Sequence, residues 1–255
     1  MTTFSHGTFN WVDLSAKSIE RVRPFYEALF GWTYEPSQGD QGYGIFMKDQ
    51  KSAAGIGQMS PAMLEANVPS TWNTYVSVDD IQATEAKAKA LGGTLMFDTV
   101  DVLDVGRMNF VTDPEGALFA MWQPLKTAGA ETFNVPNTFC WNERATRDMA
   151  GFKAFYGELF GWSFRDGSSG TTELAMIHNA AGAEIGHALL MTEAWGDAPP
   201  AWMVYFAVAQ CEDTCREAEA LGGEVCVPPT DIDVGRFAVL GDPDRAYFYV
   251  IQLKA

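Results

Sequence analysis

The chain has 255 residues, 47% hydrophobic and 20% charged, with a formal net charge of −16. This composition excludes a disordered chain, and the length is enough for two globular domains. The negative charge makes nucleic acid and anionic lipid unfavourable partners, because both are also negatively charged. No apolar run approaches a membrane span, and residues 1–9 lack the apolar segment of a signal peptide, so we expect a cytoplasmic protein.

The four cysteines are too sparsely spaced to predict a disulfide framework or a metal site. No Cys-x-x-Cys pair occurs, and only Cys211 and Cys215 lie four residues apart on a predicted helix. We therefore predict free thiols at all four positions, Cys140, Cys211, Cys215 and Cys226.

The same elements are predicted in the same order in each half of the chain. Ser18 can cap a helix whose apolar residues recur at helical spacing from Ile19 to Phe30, and Gly31 ends it. A second helix, 81–91, ends at the Gly-Gly pair that follows it. Strand-like stretches surround these helices, at 9–15, 32–35, 43–48, 53–59, 72–78, 94–97, 107–112 and 118–122.

A long internal repeat relates the two halves. Residues 7–32 match residues 137–162 with a shift of 130 positions, and both segments end in Leu-Phe-Gly-Trp. A repeat of this length indicates a duplicated domain and not a short solenoid period. Further matches follow at Trp72 with Trp202, Tyr75 with Tyr205, and the Val-Gly-Arg motifs at 105–107 and 234–236.

The repeat predicts an α+β fold with four βαβββ modules, two in each half. The last two strands of the first half are joined by Asp-Pro-Glu-Gly at 113–116, which suits a type I turn. The second half has Asp-Pro-Asp-Arg at 242–245 and lacks the glycine. We expect a first domain at 1–124, a linker at 125–135 and a second domain at 136–255.

This order of elements, with the Leu-Phe-Gly-Trp helix end and the Asp-Pro turn before a final strand, resembles the vicinal oxygen chelate superfamily. That superfamily includes glyoxalase I, fosfomycin and bleomycin resistance proteins and extradiol dioxygenases. Within it, the chain is similar to two-domain bacterial glyoxalase-like proteins. The resemblance implies two tandem domains, each with a curled mixed sheet around a cavity, but it does not decide the reaction.

The metal ligands that the resemblance implies are His, Glu or Gln side chains at three or four strand positions. A divalent metal needs several converging donors. His187 aligns with Gln58 after an Ile-Gly pair, on a strand that can supply a further ligand in glyoxalases, but each is a single donor. We therefore predict no metal and no other cofactor. The matched ligand positions hold Trp11, Asn73 and Ala120 in the first half and Trp141, Met203 and Tyr249 in the second.

Strand alternation predicts which side chains share the cavity with these positions. Asp13 lies on the face of Trp11, and Glu143 on the face of Trp141. A carboxylate beside aromatic walls is a candidate acid–base group or a hydrogen-bonding anchor, and a purely structural role is equally open. We expect Arg107 and Arg236 to pair with these carboxylates. The predicted ligand-binding residues are Trp11, Asn73, Tyr75, Arg107, Trp122, Trp141, Tyr205 and Arg236, with Asp13 and Glu143 as candidate catalytic residues.

Three functions fit these residues. The chain binds a small oxygenated or aromatic metabolite without metal, or it transforms one as a metal-independent lyase or isomerase. The alternative is a metal-dependent glyoxalase-I-type lyase or dioxygenase with a displaced metal site. The first half is favoured for binding, because Ala120 leaves room where Tyr249 fills it. We expect a monomer or weak homodimer.

Overall fold

The computed structural model describes residues 4–37 and 42–254. None of the helices in these ranges is both long and apolar enough to span a bilayer. The helices are α1 (Ile19–Phe30), α2 (Pro61–Glu65), α3 (Ile81–Ala90), α4 (Met149–Phe160) and α5 (Cys211–Ala220). The strands of the first half are β1 (Phe9–Ala16), β2 (Thr33–Pro36), β3 (Tyr43–Lys48), β4 (Lys51–Gln58), β5 (Thr71–Ser77), β6 (Thr94–Leu95), β7 (Val100–Val102), β8 (Gly106–Thr112) and β9 (Leu118–Pro124). Those of the second half are β10 (Thr138–Thr146), β11 (Ser163–Ser169), β12 (Thr172–His178), β13 (Glu184–Leu190), β14 (Ala201–Ala207), β15 (Glu224–Ile232), β16 (Gly235–Gly241) and β17 (Tyr247–Leu253).

Four βαβββ modules are present, as the repeat predicts, and the fold class is α+β. In each module the first and last strands pair in parallel: β1 with β4, β5 with β9, β10 with β13 and β14 with β17. The other strand pairs of each module are antiparallel, so every module contributes a mixed four-stranded run. In the second module, β7 pairs additionally with β8.

The predicted helix ends are confirmed. The Ser18 hydroxyl accepts a hydrogen bond from the backbone N–H of Arg21, and Asp148 caps α4 in the same way. Gly31 and Gly161 follow the helices in the left-handed conformation, with φ of 67° and 70°. Glycine is the residue that adopts this conformation without strain, so the glycine of the repeated Leu-Phe-Gly-Trp segment ends each helix.

Two short elements differ from the sequence prediction. Residues 60–70, where no helix or strand is predicted, contain α2, which starts because Ser60 caps it and Pro61 occupies its first position. The strand expected at 94–97 is shortened to β6. Just after β6, the backbone carbonyl of Phe97 accepts a hydrogen bond from the Asn109 side-chain amide, which also donates to the Glu85 carboxylate. This carbonyl is therefore bonded to a side chain.

The two Asp-Pro turns have the predicted backbone hydrogen bond. The N–H of Gly116 donates to the carbonyl of Asp113, and the N–H of Arg245 donates to the carbonyl of Asp242. Arg245 has φ of 62° and Gly116 has φ of 89°, so the second turn places an arginine where the first has a glycine. In both turns one aspartate oxygen also accepts two backbone N–H groups of the turn.

The chain folds into two compact units, each of which combines modules from both halves. One, the first–fourth unit, comprises residues 12–73, 130–141 and 204–255. The other, the second–third unit, comprises residues 1–11, 74–129 and 142–203. The helices of the two first modules, α1 and α4, therefore each lie in a unit that also contains strands of the other half.

In the first–fourth unit, α1 packs on aromatic residues of the fourth module. The Phe30 ring lies 5.1 Å from Phe206 and 6.0 Å from Phe248, measured between centroids. Tyr26 is fully buried, and its hydroxyl donates to Asp242 at 2.9 Å while accepting from the Trp72 indole at 3.0 Å. Burial raises the pKa of Tyr26 well above its ordinary value, which keeps the hydroxyl protonated as the donor.

The second–third unit repeats this arrangement on α4. The Tyr156 hydroxyl donates to Asp113 at 3.0 Å and accepts from the Trp202 indole at 2.9 Å. Phe119 packs against Tyr156, with ring centroids 5.5 Å apart. The aspartates of the Asp-Pro motifs therefore accept a hydrogen bond from a buried tyrosine of the other half, in addition to forming their turns.

The Leu-Phe-Gly-Trp tryptophans also connect the halves. The Trp32 indole donates to the carbonyl of Asn137 at 2.9 Å in the first–fourth unit. The Trp162 indole donates to the carbonyl of Gly7 at 2.6 Å in the second–third unit. Both tryptophans are buried, so each is part of the core and at the same time ties one half to the backbone of the other.

We predict that replacing Asn142 by valine stabilises the protein. Asn142 is fully buried on β10, and neither its amide nitrogen nor its carbonyl oxygen has a hydrogen-bond partner among the described residues. An unsatisfied buried polar group costs about 1–3 kcal/mol, and the repeat places Val12 at the matched position. Urea unfolding should show a gain of this order for Asn142→Val and a loss for Val12→Asn. A less stable Asn142→Val variant would contradict this.

Candidate functional site

A buried polar cluster surrounds Asp13 in the first–fourth unit. The Asn73 amide nitrogen donates to Asp13 Oδ1 and to Ser15 Oγ, both at 2.9 Å, and the Tyr43 hydroxyl lies 3.3 Å from Asp13 Oδ2. Asp13 is 5% exposed and Asn73 is 4% exposed. The structure thus brings together two predicted site residues, Asp13 and Asn73, and adds Ser15 and Tyr43.

Strand geometry explains this cluster. Asp13 and Ser15 are two residues apart on β1, so their side chains point to the same face. Gly55 lies directly opposite Asp13 on β4. A Cβ atom at Gly55 would lie 2.0 Å from the Tyr43 hydroxyl oxygen, so the glycine leaves the space in which that hydroxyl reaches Asp13. The role of Tyr43 depends on this register, which the sequence pattern did not reveal.

The matched carboxylate of the second half has a different neighbour. In the second–third unit, Glu143 Oε2 lies 2.5 Å from His187 Nε2. The carboxylate is 7% exposed and the imidazole 17%. Glu143 and His187 are register partners on the parallel strands β10 and β13, just as Asp13 and Gly55 are on β1 and β4.

The alignment of His187 with Gln58 is therefore wrong. Gln58 is the register partner of Ala16, whereas His187 pairs with Glu143 and corresponds to Gly55. The loop that precedes the last strand of the module has two residues in the first half, between β3 and β4, and five in the second, between β12 and β13. The Ile-Gly pair therefore lies opposite a different position of the first strand in each half. The Gln58 side chain instead accepts from the N–H of Ile19 and donates to the carbonyl of Lys17, at the start of α1.

The residues at the family's metal positions do not fit a divalent metal. In the first half Asn73 offers an amide oxygen, while Ala120, buried opposite Tyr75, offers no donor. In the second half Glu143 and His187 provide two donors. Within residues 4–37 and 42–254, no group of three or more His, Cys, Asp or Glu side chains is arranged to hold a metal ion.

The expected pairing of the two arginines with the buried carboxylates is wrong. The Arg107 side chain is 40% exposed and forms its ion pair with Asp101 at 2.7 Å. Arg236, also 40% exposed, lies 2.9 Å from Glu212 and 3.7 Å from Asp231. Each arginine follows a glycine at the start of its strand, where its guanidinium lies within ion-pair distance of exposed carboxylates. Their assignment as ligand-binding residues stays a prediction.

The remaining predicted aromatic residues lie on strands as expected. Trp11 and Trp141 are half-buried on β1 and β10. The Tyr75 ring is buried and packs edge-on against Phe110, with centroids 5.7 Å apart. The Trp122 indole donates to the carbonyl of Thr127 at 2.8 Å.

Tyr205 and Tyr249, register partners on β14 and β17, have ring centroids 4.6 Å apart. Tyr249 therefore holds, opposite Tyr205, the register position that Ala120 holds opposite Tyr75. A surface groove of about 580 Å³ lies elsewhere, between α3 and β6, and contains none of the predicted site residues.

The cysteines do not provide a nucleophile. All four are free thiols in the structure. Burial raises the pKa of the Cys140 thiol to about 12, and burial likewise raises that of Cys211 to about 12. Since the thiolate is the reactive form, the raised pKa disfavours these two side chains as nucleophiles.

Comparison with known proteins assigns the chain to a family. Residues 11–122 match the glyoxalase-like domain, and residues 141–248 match the Glyoxalase/Bleomycin resistance protein/Dioxygenase superfamily. The chain is 36% identical to "Putative glyoxylase CFP32" of Mycobacterium tuberculosis, over 98% of this chain and 96% of that protein. It is 33% identical to the "Anthracycline biosynthesis protein DauV" of a Streptomyces species, over 100% of this chain and 96% of that protein.

Solved structures of glyoxalases and dioxygenases share the fold at low identity. The Mn(II)-bound glyoxalase of Novosphingobium aromaticivorans has a TM-score of 0.63 at 14% identity, covering 98% of this chain and 84% of that one. The 2,3-dioxygenase LapB of Pseudomonas sp. KL28 has the same score and identity, with 98% and 94% covered. With four βαβββ modules, two matching family domains and relatives matched along nearly their whole length, the chain belongs to the vicinal oxygen chelate superfamily, the group of glyoxalases, bleomycin resistance proteins and dioxygenases.

Proposed function

We propose that this protein binds a small oxygenated or aromatic metabolite without a metal ion, with Asp13 as the polar anchor of the first half. The observation that carries this proposal is the Asp13 cluster, in which a buried carboxylate lies with Asn73, Ser15 and Tyr43. A few converging polar groups among aromatic side chains are typical of small-molecule sites. Hydroxyl or carbonyl groups of a metabolite are the natural partners of such a cluster.

The relatives support the class of ligand and not a single compound. One group is named for glyoxylase activity and another for anthracycline biosynthesis. Both names refer to oxygenated carbon compounds, although the two classes differ greatly in size. Native mass spectrometry of the protein purified from its source would identify a co-purifying metabolite, and that compound is the probe for the variants below.

We predict that replacing Asp13 by asparagine weakens metabolite binding more than it weakens the fold. Asparagine keeps the size of the side chain and one oxygen to accept from Asn73, and its new amide can donate to the Tyr43 hydroxyl. The free energy of unfolding should change by no more than about 1 kcal/mol, while the loss of a charge-assisted hydrogen bond should raise Kd about tenfold or more. Calorimetric titration and urea unfolding measure the two effects.

The matched control is Ser15→Ala, which removes a neighbour that bonds Asn73 but leaves the Asp13 carboxylate in place. We expect a smaller loss of affinity in this variant. A strongly lowered melting temperature for Asp13→Asn with unchanged affinity would show that the carboxylate is structural, and would overturn the proposed anchor.

A second candidate function is acid–base transformation of the metabolite in the second half. The Glu143–His187 contact of 2.5 Å favours it, because an imidazole that is oriented by a carboxylate is a common acid–base arrangement in enzymes. We expect Glu143→Gln and His187→Gln each to lower turnover of the identified metabolite at least a hundredfold, with Asp13→Asn changing KM in preference to kcat. Unchanged turnover in both second-half variants would leave binding as the function.

The alternative of a displaced metal site makes a different prediction. A metal-dependent lyase or dioxygenase requires stoichiometric zinc, nickel, iron or manganese. Elemental analysis of protein purified without chelator or metal-affinity resin separates this function from the first two.

For the assembly we propose a monomer, so light scattering should give the chain mass of 27.9 kDa, and twice that mass would indicate a dimer.

A further inference from the structure

The fourth module presents a row of aromatic rings on one face of its strands. Tyr205 and Tyr249 are register partners, with ring centroids 4.6 Å apart and planes inclined at 33°. The Phe237 ring, diagonal to Tyr249 on β16, is nearly parallel to it, with an interplanar angle of 13° and centroids 6.4 Å apart. Phe237 and Tyr249 are both half-buried.

The second module lacks this row at the matched positions. Its register equivalents of Tyr205, Tyr249 and Phe237 are Tyr75, Ala120 and Met108. The Tyr75 ring packs edge-on, at 67°, against Phe110, which breaks any flat surface. The two modules therefore differ at these positions: the second has one tyrosine packed edge-on against Phe110, and the fourth has three neighbouring rings.

We propose that Phe237 and Tyr249 form a stacking surface for a flat, uncharged aromatic ligand. The face of each aromatic ring can stack on a planar partner, and offset stacking favours such a partner over an aliphatic one of equal size. The net charge of −16 disfavours an anionic aromatic compound. This inference rests on the proposed small-molecule binding and adds the ligand class that the fourth module selects.

The test uses two probes of similar size and different shape. Naphthol is flat and aromatic, whereas its fully hydrogenated counterpart decalol is neither. Calorimetric titration of the full chain should show naphthol binding at least tenfold tighter than decalol. Absence of naphthol binding, or equal affinity for decalol, would overturn the stacking surface.

Substitutions that remove single rings test where on the protein naphthol binds. Tyr249→Leu and Phe237→Leu keep apolar bulk but remove a ring, and each should raise the Kd for naphthol about three- to tenfold. Tyr249→Phe keeps the ring and should bind as the parent does, which covers the case in which a leucine variant fails to fold. Met108→Leu, at the matched position of the second module, should leave the Kd unchanged.

The Asp13→Asn variant separates this inference from the proposed anchor. It should bind naphthol with unchanged Kd, because the aromatic row lies in the fourth module. If naphthol binding is lost in Asp13→Asn and kept in Tyr249→Leu, the stacking surface is overturned and the Asp13 site stands. If naphthol depends on Tyr249 while no metabolite responds to Asp13→Asn, the stacking surface stands and the Asp13 anchor is overturned.

Discussion

Replacement of Arg144 by alanine is expected to lower the free energy of unfolding by about 3–5 kcal/mol. Arg144 has no exposed side-chain surface and lies 2.7 Å from Asp113 and 3.0 Å from Glu115. The alanine variant leaves the Asp113 charge buried without its cation, and it also opens a cavity. Both effects destabilise the second–third unit, where Asp113 accepts the hydrogen bond from Tyr156.

The repeat supplies the matched control for this prediction. Leu14 occupies the position of Arg144 in the first half, and there Asp242 is held by Tyr26 and by two backbone N–H groups of its turn. Burial raises the pKa of Asp242, which shows that ionisation is costly at such a site.

Arg144→Leu combined with Asp113→Asn should therefore be more stable than Arg144→Ala, because the double variant leaves no buried charge unpaired. Urea unfolding measures all variants. An Arg144→Ala variant within about 1 kcal/mol of the parent would show that the buried ion pair adds little to stability.

The sequence predicts elements well wherever local signals agree. The helix starting after Ser18 and ending before Gly31 has a cap, an apolar period and a glycine stop, and all three are present in the structure. Asp13 and Asn73 were both predicted in the site of the first half, Asp13 from strand alternation and Asn73 from a ligand position that the family resemblance implies. The short helix at 61–65 was missed, since five residues are too few to establish a period.

The parts of the site that depend on strand register were not predictable in this way. Tyr43 reaches Asp13 only because Gly55 lies opposite that carboxylate, and His187 reaches Glu143 through the equivalent register. The connection before the last strand of the module differs in length between the halves, so the Ile-Gly pair lies at a different register in each. Matching the two Ile-Gly pairs therefore aligned His187 with Gln58 and not with Gly55. The arginine pairs failed for a related reason: the nearest carboxylate of Arg107, Asp101, lies on a neighbouring strand, and that of Arg236, Glu212, lies on α5.

Separate expression of the two halves, residues 1–124 and 125–255, is expected to abolish cooperative folding of both. Each compact unit combines modules of the two halves. In the first–fourth unit, α1 of the first half buries Tyr26 and Phe30 against Phe206, Phe248 and Asp242 of the second. Truncating one buried aromatic side chain costs about 3–5 kcal/mol, so losing several such contacts is comparable to the roughly 5–15 kcal/mol that stabilises an ordinary domain.

Mixing the fragments provides the control for this last prediction. Cutting between 124 and 125 breaks one peptide bond and leaves the linker on the second fragment, so the co-expressed fragments should assemble and recover a single unfolding transition. Circular dichroism during urea unfolding distinguishes the outcomes, with the broad, non-cooperative change expected for each fragment alone. A first half that unfolds cooperatively by itself would show that its own strands suffice to bury α1, and that the contacts of Tyr26 with Asp242 only add to a complete core.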